Sequence, residues 1–100
     1  KVFDLLLNEF PESKYRTSIQ FQISKIYFDK KDYENSEKYL IAIKPENNDD
    51  LIKKNNNLGV IKITEAELFE SKKEFGKAIS LYNAAAEYYE KANNIDDYIS

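Results

Sequence analysis

Residues 30–36 read KKDYENS, and forty-two positions later residues 72–78 read KKEFGKA. Position by position, Asp32 answers to Glu74, Tyr33 to Phe75, Ser36 to Ala78, Leu40 to Tyr82 and Ile43 to Ala85. In each copy an acid precedes an aromatic residue, a small residue follows three positions on, and two further core positions come after it. A helical hairpin accounts for this order. The small residue lets two helices approach closely, and the aromatic fills the space beside the turn. A spacing of this kind marks a repeated structural unit.

Composition narrows the class. The 100 residues are 42% hydrophobic and 33% charged, with only two Gly and two Pro. So little turn chemistry argues against a small β-sandwich or barrel, while the Leu, Ile, Lys, Glu and Ala content favours helix. The length predicts a single domain over residues 1–100. Net charge is −3 with acids and bases interspersed, and Arg16 is the sole arginine. Such a surface has no basic patch for phosphates, so nucleic acid is not an expected partner. Without Cys there is no disulfide or thiolate chemistry, and without His the commonest general base and transition-metal ligand are missing. No apolar run reaches the about 18 residues of a membrane span, so direct membrane insertion is not expected. Because the chain begins at Lys1 and stops within a helical pattern, it reads as a fragment excised from a longer protein.

Helical period runs through the chain. Residues 2–10, VFDLLLNEF, are helix-compatible up to Pro11. Ser13 is placed to cap a helix over 14–30, whose apolar positions Tyr15, Ile19, Ile23, Ile26 and Tyr27 recur at spacings of three and four. Asp32 stands where an N-cap belongs, before a helix reaching Lys44 and closed by Pro45. A long pattern over 50–72 contains Gly59, which allows a kink or break there. Phe75 to Lys91 forms another helix, carrying Phe75, Ala78, Ile79, Tyr82, Ala85, Ala86 and Tyr89. Asn94 is placed to cap one more, with Asp96 and Asp97 in its first turn. The expected fold is all-α, built of antiparallel helix pairs joined by short loops.

A second echo, at an offset of thirty-four, sets Phe10-Pro11-Glu12 against Lys44-Pro45-Glu46, with Leu6 matching Leu40. Ile23-Ser24-x-x-Tyr27, then Tyr33-x-x-Ser36-x-x-x-Leu40 and Pro45, resembles a tetratricopeptide repeat (TPR), whose period is about 34 residues. The second unit fits through Ala66, Phe69, Phe75, Ala78, Tyr82 and Ala85. It departs at Glu65, where the family favours an apolar residue, and its first helix is longer; in the first unit Ser36 replaces the usual Ala. NEFPESKY at 8–15 resembles the repeats of bacterial envelope scaffolds, the BamD-like outer-membrane assembly lipoproteins and the periplasmic coordinators of the Tol-Pal system. The resemblance implies a TPR-like α-solenoid fragment: 2–10 as the second helix of a preceding repeat, 14–45 as a full repeat, 50–92 as an elongated one, and 94–100 as the start of a further helix.

No chemistry of catalysis is legible. Glu65, Glu67 and Glu70 share one long helix, but without His or an EF-hand pattern, and with Lys62, Lys72 and Lys73 nearby, they read as a solvated face. No phosphate-cradling Gly-rich loop or nucleophile elbow occurs. Neither an enzyme nor a metal or cofactor is expected. A solenoid offers a surface instead, a concave groove lined by the first helix of each pair. The resemblance places Ser18, Phe21, Lys25, Phe28 and Asp29 along that groove in the full repeat, and Val60, Ile63, Glu67, Glu70 and Ser71 in the second. Phe21 and Phe28, seven residues apart with Lys25 between them, have two readings: aromatic anchors for a partner, or packing against Val2, Phe3, Leu5 and Leu6. Tyr88 and Tyr89 are adjacent and cannot both enter one core, which makes them a candidate secondary interface.

The resulting expectation is a non-catalytic module that presents its groove to a peptide or helical segment of another protein, in a periplasm-facing envelope assembly. The alternatives are a homo-oligomer stacking through its open ends at Val2–Leu7 and Tyr89–Ile99, or a spacer domain.

Overall fold

The computed structural model describes residues 13–45 and 47–99, without the side chains at 13, 14 and 94–99. The helix expected over 2–10, together with Pro11, Glu12 and Glu46, lies outside these residues. Four helices are described: α1 (Ser13–Asp29), α2 (Tyr33–Ile41), α3 (Asn48–Ser71) and α4 (Phe75–Ile99). No strand occurs among the described residues. Helix α1 packs on α2 and α3 on α4. The chain divides between Asn47 and Asn48 into two compact units, one hairpin in each.

The echoed turns are built alike, bond for bond. Lys31 N–H donates to Phe28 O at 2.9 Å and Asp32 N–H to Tyr27 O at 2.9 Å; Lys73 N–H donates to Glu70 O at 2.9 Å and Glu74 N–H to Phe69 O at 2.8 Å. Each pair of bonds is a Schellman closure, which satisfies carbonyls left open at a helix end. Lys31 and Lys73 adopt φ of 65° and 64°, a left-handed conformation that costs a residue with a β-carbon about 1–2 kcal/mol. The acids then start the next helices, with Ser36 N–H bonded to Asp32 O and Ala78 N–H to Glu74 O, both at 3.1 Å. Asp32 also caps with its side chain, accepting from Asn35 N–H at 3.2 Å and from Asn35 Nδ2 at 2.7 Å. Glu74 instead pairs with Lys77 at 3.4 Å.

In the first hairpin the small residues sit where the helices meet. Ser24 Oγ donates to Ser36 O and Ser36 Oγ to Ser24 O, both at 2.8 Å, and the two hydroxyl oxygens lie 2.9 Å apart. Both serines are buried, so every polar atom of this close approach is satisfied. The equivalent positions of the second hairpin are Ala66 and Ala78, also buried. We expect Ser24→Ala and Ser36→Ala each to cost about 1 kcal/mol, with the double variant costing less than their sum because it recreates that alanine pair. Urea unfolding of the four proteins measures the coupling; strictly additive costs would show that the serines act independently.

The core side of α1 differs from the expected apolar stripe. Thr17, Gln20, Phe21, Ile23 and Ser24 are buried, whereas Tyr15 and Ile26 are exposed. Close packing through small and polar side chains, rather than the count of apolar residues, chooses the buried face. Tyr27 stacks on Tyr39 with ring centroids 5.6 Å apart. Helix α2 ends at Ile41, three residues before the expected Lys44. Ile43 is still buried, held by its N–H bond to Leu40 O at 3.1 Å.

The second hairpin decides one question the sequence left open and corrects one expectation. Helix α3 runs unbroken through Gly59, which is buried and faces the Tyr89 ring of α4. Its missing side chain permits that approach, so the glycine is a packing position and not a hinge. Nor does a new helix begin at Asn94, because α4 continues to Ile99. Asparagine costs a helix interior only about 0.7 kcal/mol, and a buried alanine every seventh residue, Ala78, Ala85 and Ala92, ties α4 down along its length.

Candidate functional site

The predicted groove residues of the first unit do not form one surface. Ser18, Lys25 and Asp29 are exposed, and their spacings of seven and four place them on one α1 face. Phe21 is 8% exposed and belongs to the core, which removes it as an anchor for a partner. Its position explains this, since it lies four residues after buried Thr17 and three before Ser24, the residue of closest approach. Phe28 is half-buried and meets Tyr33 edge-on, with centroids 5.4 Å apart. The first unit's surviving face is therefore polar.

In the second unit Val60, Ile63, Glu67 and Glu70 follow one another at spacings of three, four and three, one face of α3. Val60, Glu67 and Glu70 are exposed and Ile63 is half-buried. Thr64, on the neighbouring side, turns its hydroxyl back to Val60 O at 2.9 Å. Ser71 does likewise to Leu68 O at 2.8 Å, so it offers no free donor.

This face continues onto α4. The Tyr82 hydroxyl donates to Glu70 Oε1 at 2.9 Å. Phe75, Ile79 and Tyr82, at spacings of four and three, form an exposed ridge, Phe75 at 56% and Ile79 at 60%. The sequence reading set Phe75 beside the turn and Tyr82 among the core positions of the repeat, because period alone cannot tell a face covered by its own chain from one left open. A usable signal exists in the aligned repeats, where Tyr82 stands in place of Leu40. The hydrogen bond to the Glu70 carboxylate, then desolvation, then the charges of Glu70 and Glu67 raise the Tyr82 pKa above its ordinary value. The phenol thus remains a donor through the neutral range.

The remaining candidates separate. Tyr89 is half-buried, with its ring against Gly59. Tyr88 is half-buried, with the Lys91 ammonium 5.5 Å from its ring centroid. Glu65 pairs with Lys62 at 3.6 Å, away from the Glu67–Glu70 face, so the three glutamates do not converge. Among the described residues no group of three or more His, Cys, Asp or Glu side chains is placed to hold a metal ion, and no helix is long and apolar enough to cross a membrane. An open groove of about 550 Å³ lies on the other flank of α4, lined by Phe69, Gly76, Lys77, Ser80 and Leu81. The Lys72 and Lys77 ammonium groups lie 5.8 and 5.3 Å from the centroid of the Phe69 ring there.

A tetratricopeptide repeat family model matches residues 17–43, the hairpin of α1 and α2. No curated protein and no solved structure matches the chain. The architecture is all-α and TPR-like, and tetratricopeptide repeats generally mediate protein–protein interactions and typically carry no catalytic centre.

Proposed function

We propose that this chain is a non-catalytic protein–protein interaction module, a scaffold element of a periplasm-facing bacterial envelope assembly. The observation that carries the reading is the open α3/α4 face. Val60 stands exposed on the α3 face of Glu67 and Glu70, and Phe75 and Ile79 on the α4 ridge that the Tyr82–Glu70 bond joins to it. Such a surface costs solubility unless something covers it. A rigid hairpin can present it with little ordering on the receptor side. The envelope setting is supported by the resemblance of NEFPESKY to envelope scaffold repeats.

The test is a pull-down from an envelope extract of the host, comparing the wild-type chain with Val60→Asp/Glu67→Arg, with circular dichroism melts of both. A protein held by the wild type and lost by an equally stable variant is the expected result. Equal capture by both would reject this face. Fractionation of cells carrying the tagged parent protein checks the compartment, and recovery from the cytosol would reject the envelope setting.

A further inference from the structure

We infer that the occupant of the α3/α4 face is an amphipathic helix of another protein, its apolar stripe flanked by Lys or Arg. The inference rests on the interaction-module reading and adds the partner's chemistry.

The repeat itself indicates that this face is built to be covered. Leu40 in the first hairpin is 1% exposed, whereas Tyr82 at the corresponding place in the second is 37% exposed. Phe75 and Ile79 stand exposed with Tyr82 along α4, and on α3 the exposed Val60 shares the face of Glu67 and Glu70. The Tyr82–Glu70 bond stitches the two helical faces into one surface.

The form of the occupant follows from the backbone. Helices satisfy their own N–H and C=O groups internally, so this face offers no edge to which an extended strand could add. A segment buried there must satisfy its own backbone, which a helix does. Ridges at spacings of three and four also match the side-chain rows of a helix.

Its charge follows from the rim. Glu67 and Glu70 border the apolar ridge, and neither carries an ion pair among the described residues. Lys77 is engaged elsewhere, with Glu74 and over the Phe69 ring. A partner therefore meets uncompensated negative charge, which Lys or Arg flanking its apolar stripe would complement. A second copy of this chain is disfavoured on the same ground. An isologous dimer through this face would set Glu67 and Glu70 against their own equivalents, in a chain already at −3.

The probe is a synthetic 16-residue peptide with Leu at helical spacings and Lys on both flanks. A twin with Glu flanks and a twin with a central Pro are the controls, and binding is read by fluorescence anisotropy. The Lys peptide is expected to bind about tenfold more tightly than either twin. Ile79→Asp and Phe75→Ser, both at exposed positions, should each weaken it about tenfold, with unchanged circular dichroism. Glu67→Lys should weaken it several-fold, where Glu34→Lys on the first hairpin does not. Equal binding of the Lys and Glu peptides, or indifference to Ile79→Asp and Phe75→Ser, would overturn the inference. So would a wild-type dimer in sedimentation that Ile79→Asp dissolves, because the face would then belong to a second copy. If the envelope partner is captured through Val60 while no Lys peptide binds, the module reading stands and this inference falls. If neither a partner nor a peptide binds, both fall.

Discussion

Gly59→Val is expected to destabilise the α3/α4 hairpin by about 3 kcal/mol. A β-carbon on Gly59 would stand 2.9 Å from Tyr89 Cζ and 3.0 Å from its Cε2, closer than non-bonded carbons pack, and valine adds two methyl groups beyond it. Helix propensity favours the substitution by only about 0.4 kcal/mol, so crowding wins. The half-buried Tyr89 ring can yield only by giving up its packing on Gly59, because Ala85 and Ala92 on either side of it are buried and hold the α4 backbone in place. Gly59→Ala should be milder, since an about 1 kcal/mol gain in propensity offsets much of the crowding. Adding Tyr89→Ala to Gly59→Val should recover most of the loss. Gly76→Ala is the control, because a β-carbon there meets nothing within 4 Å. Urea unfolding followed by circular dichroism reads all of these; additive penalties for Gly59→Val and Tyr89→Ala would place the strain elsewhere.

Leu40→Ala is expected to cost about 3 kcal/mol, while Tyr82→Ala, at the equivalent position of the second repeat, should barely move the unfolding midpoint. Leu40 is fully buried, so truncation leaves a cavity, whereas the Tyr82 ring lies on the surface. What Tyr82→Ala should remove is binding at the α3/α4 face, through loss of both the ring and its bond to Glu70. The same bond carries a pH signature. A phenol whose pKa rises on folding contributes stability that is complete below the ordinary tyrosine value of about 10. That contribution fades as the pH climbs through the raised value. A Tyr82→Phe variant should therefore lose any stability difference from wild type at strongly alkaline pH. Equal destabilisation by Leu40→Ala and Tyr82→Ala would contradict the assignment of one to core and the other to surface.

Much of the architecture was legible because it is local. The Lys-Lys-acid-aromatic echo predicts a helical hairpin at both places, and the two turns agree in every bond that closes them. Asp32 is the N-cap its position predicts, and the small residues at 24, 36, 66 and 78 are buried as the repeat pattern requires. These features depend on a few neighbouring residues, and short-range sterics and hydrogen bonding decide them.

The candidate site was half legible. The resemblance placed Val60, Ile63, Glu67 and Glu70 along the groove, and helical spacing keeps the four on one face of α3. Phe21 entered the candidate set and Phe75, Ile79 and Tyr82 stayed out of it, the reverse of their exposure. A periodic apolar stripe says which residues share a face and not what lies over that face.

The sequence alone thus determined the helices, the turns and the small-residue contacts, since each follows from backbone geometry within a few residues. Only the tertiary structure decided that Gly59 is a contact and not a break, that α4 runs through Asn94, and that the ridge at Phe75, Ile79 and Tyr82 is left open. The first and last depend on where a second helix comes to lie, which close packing at a distance in the sequence sets and local propensity does not.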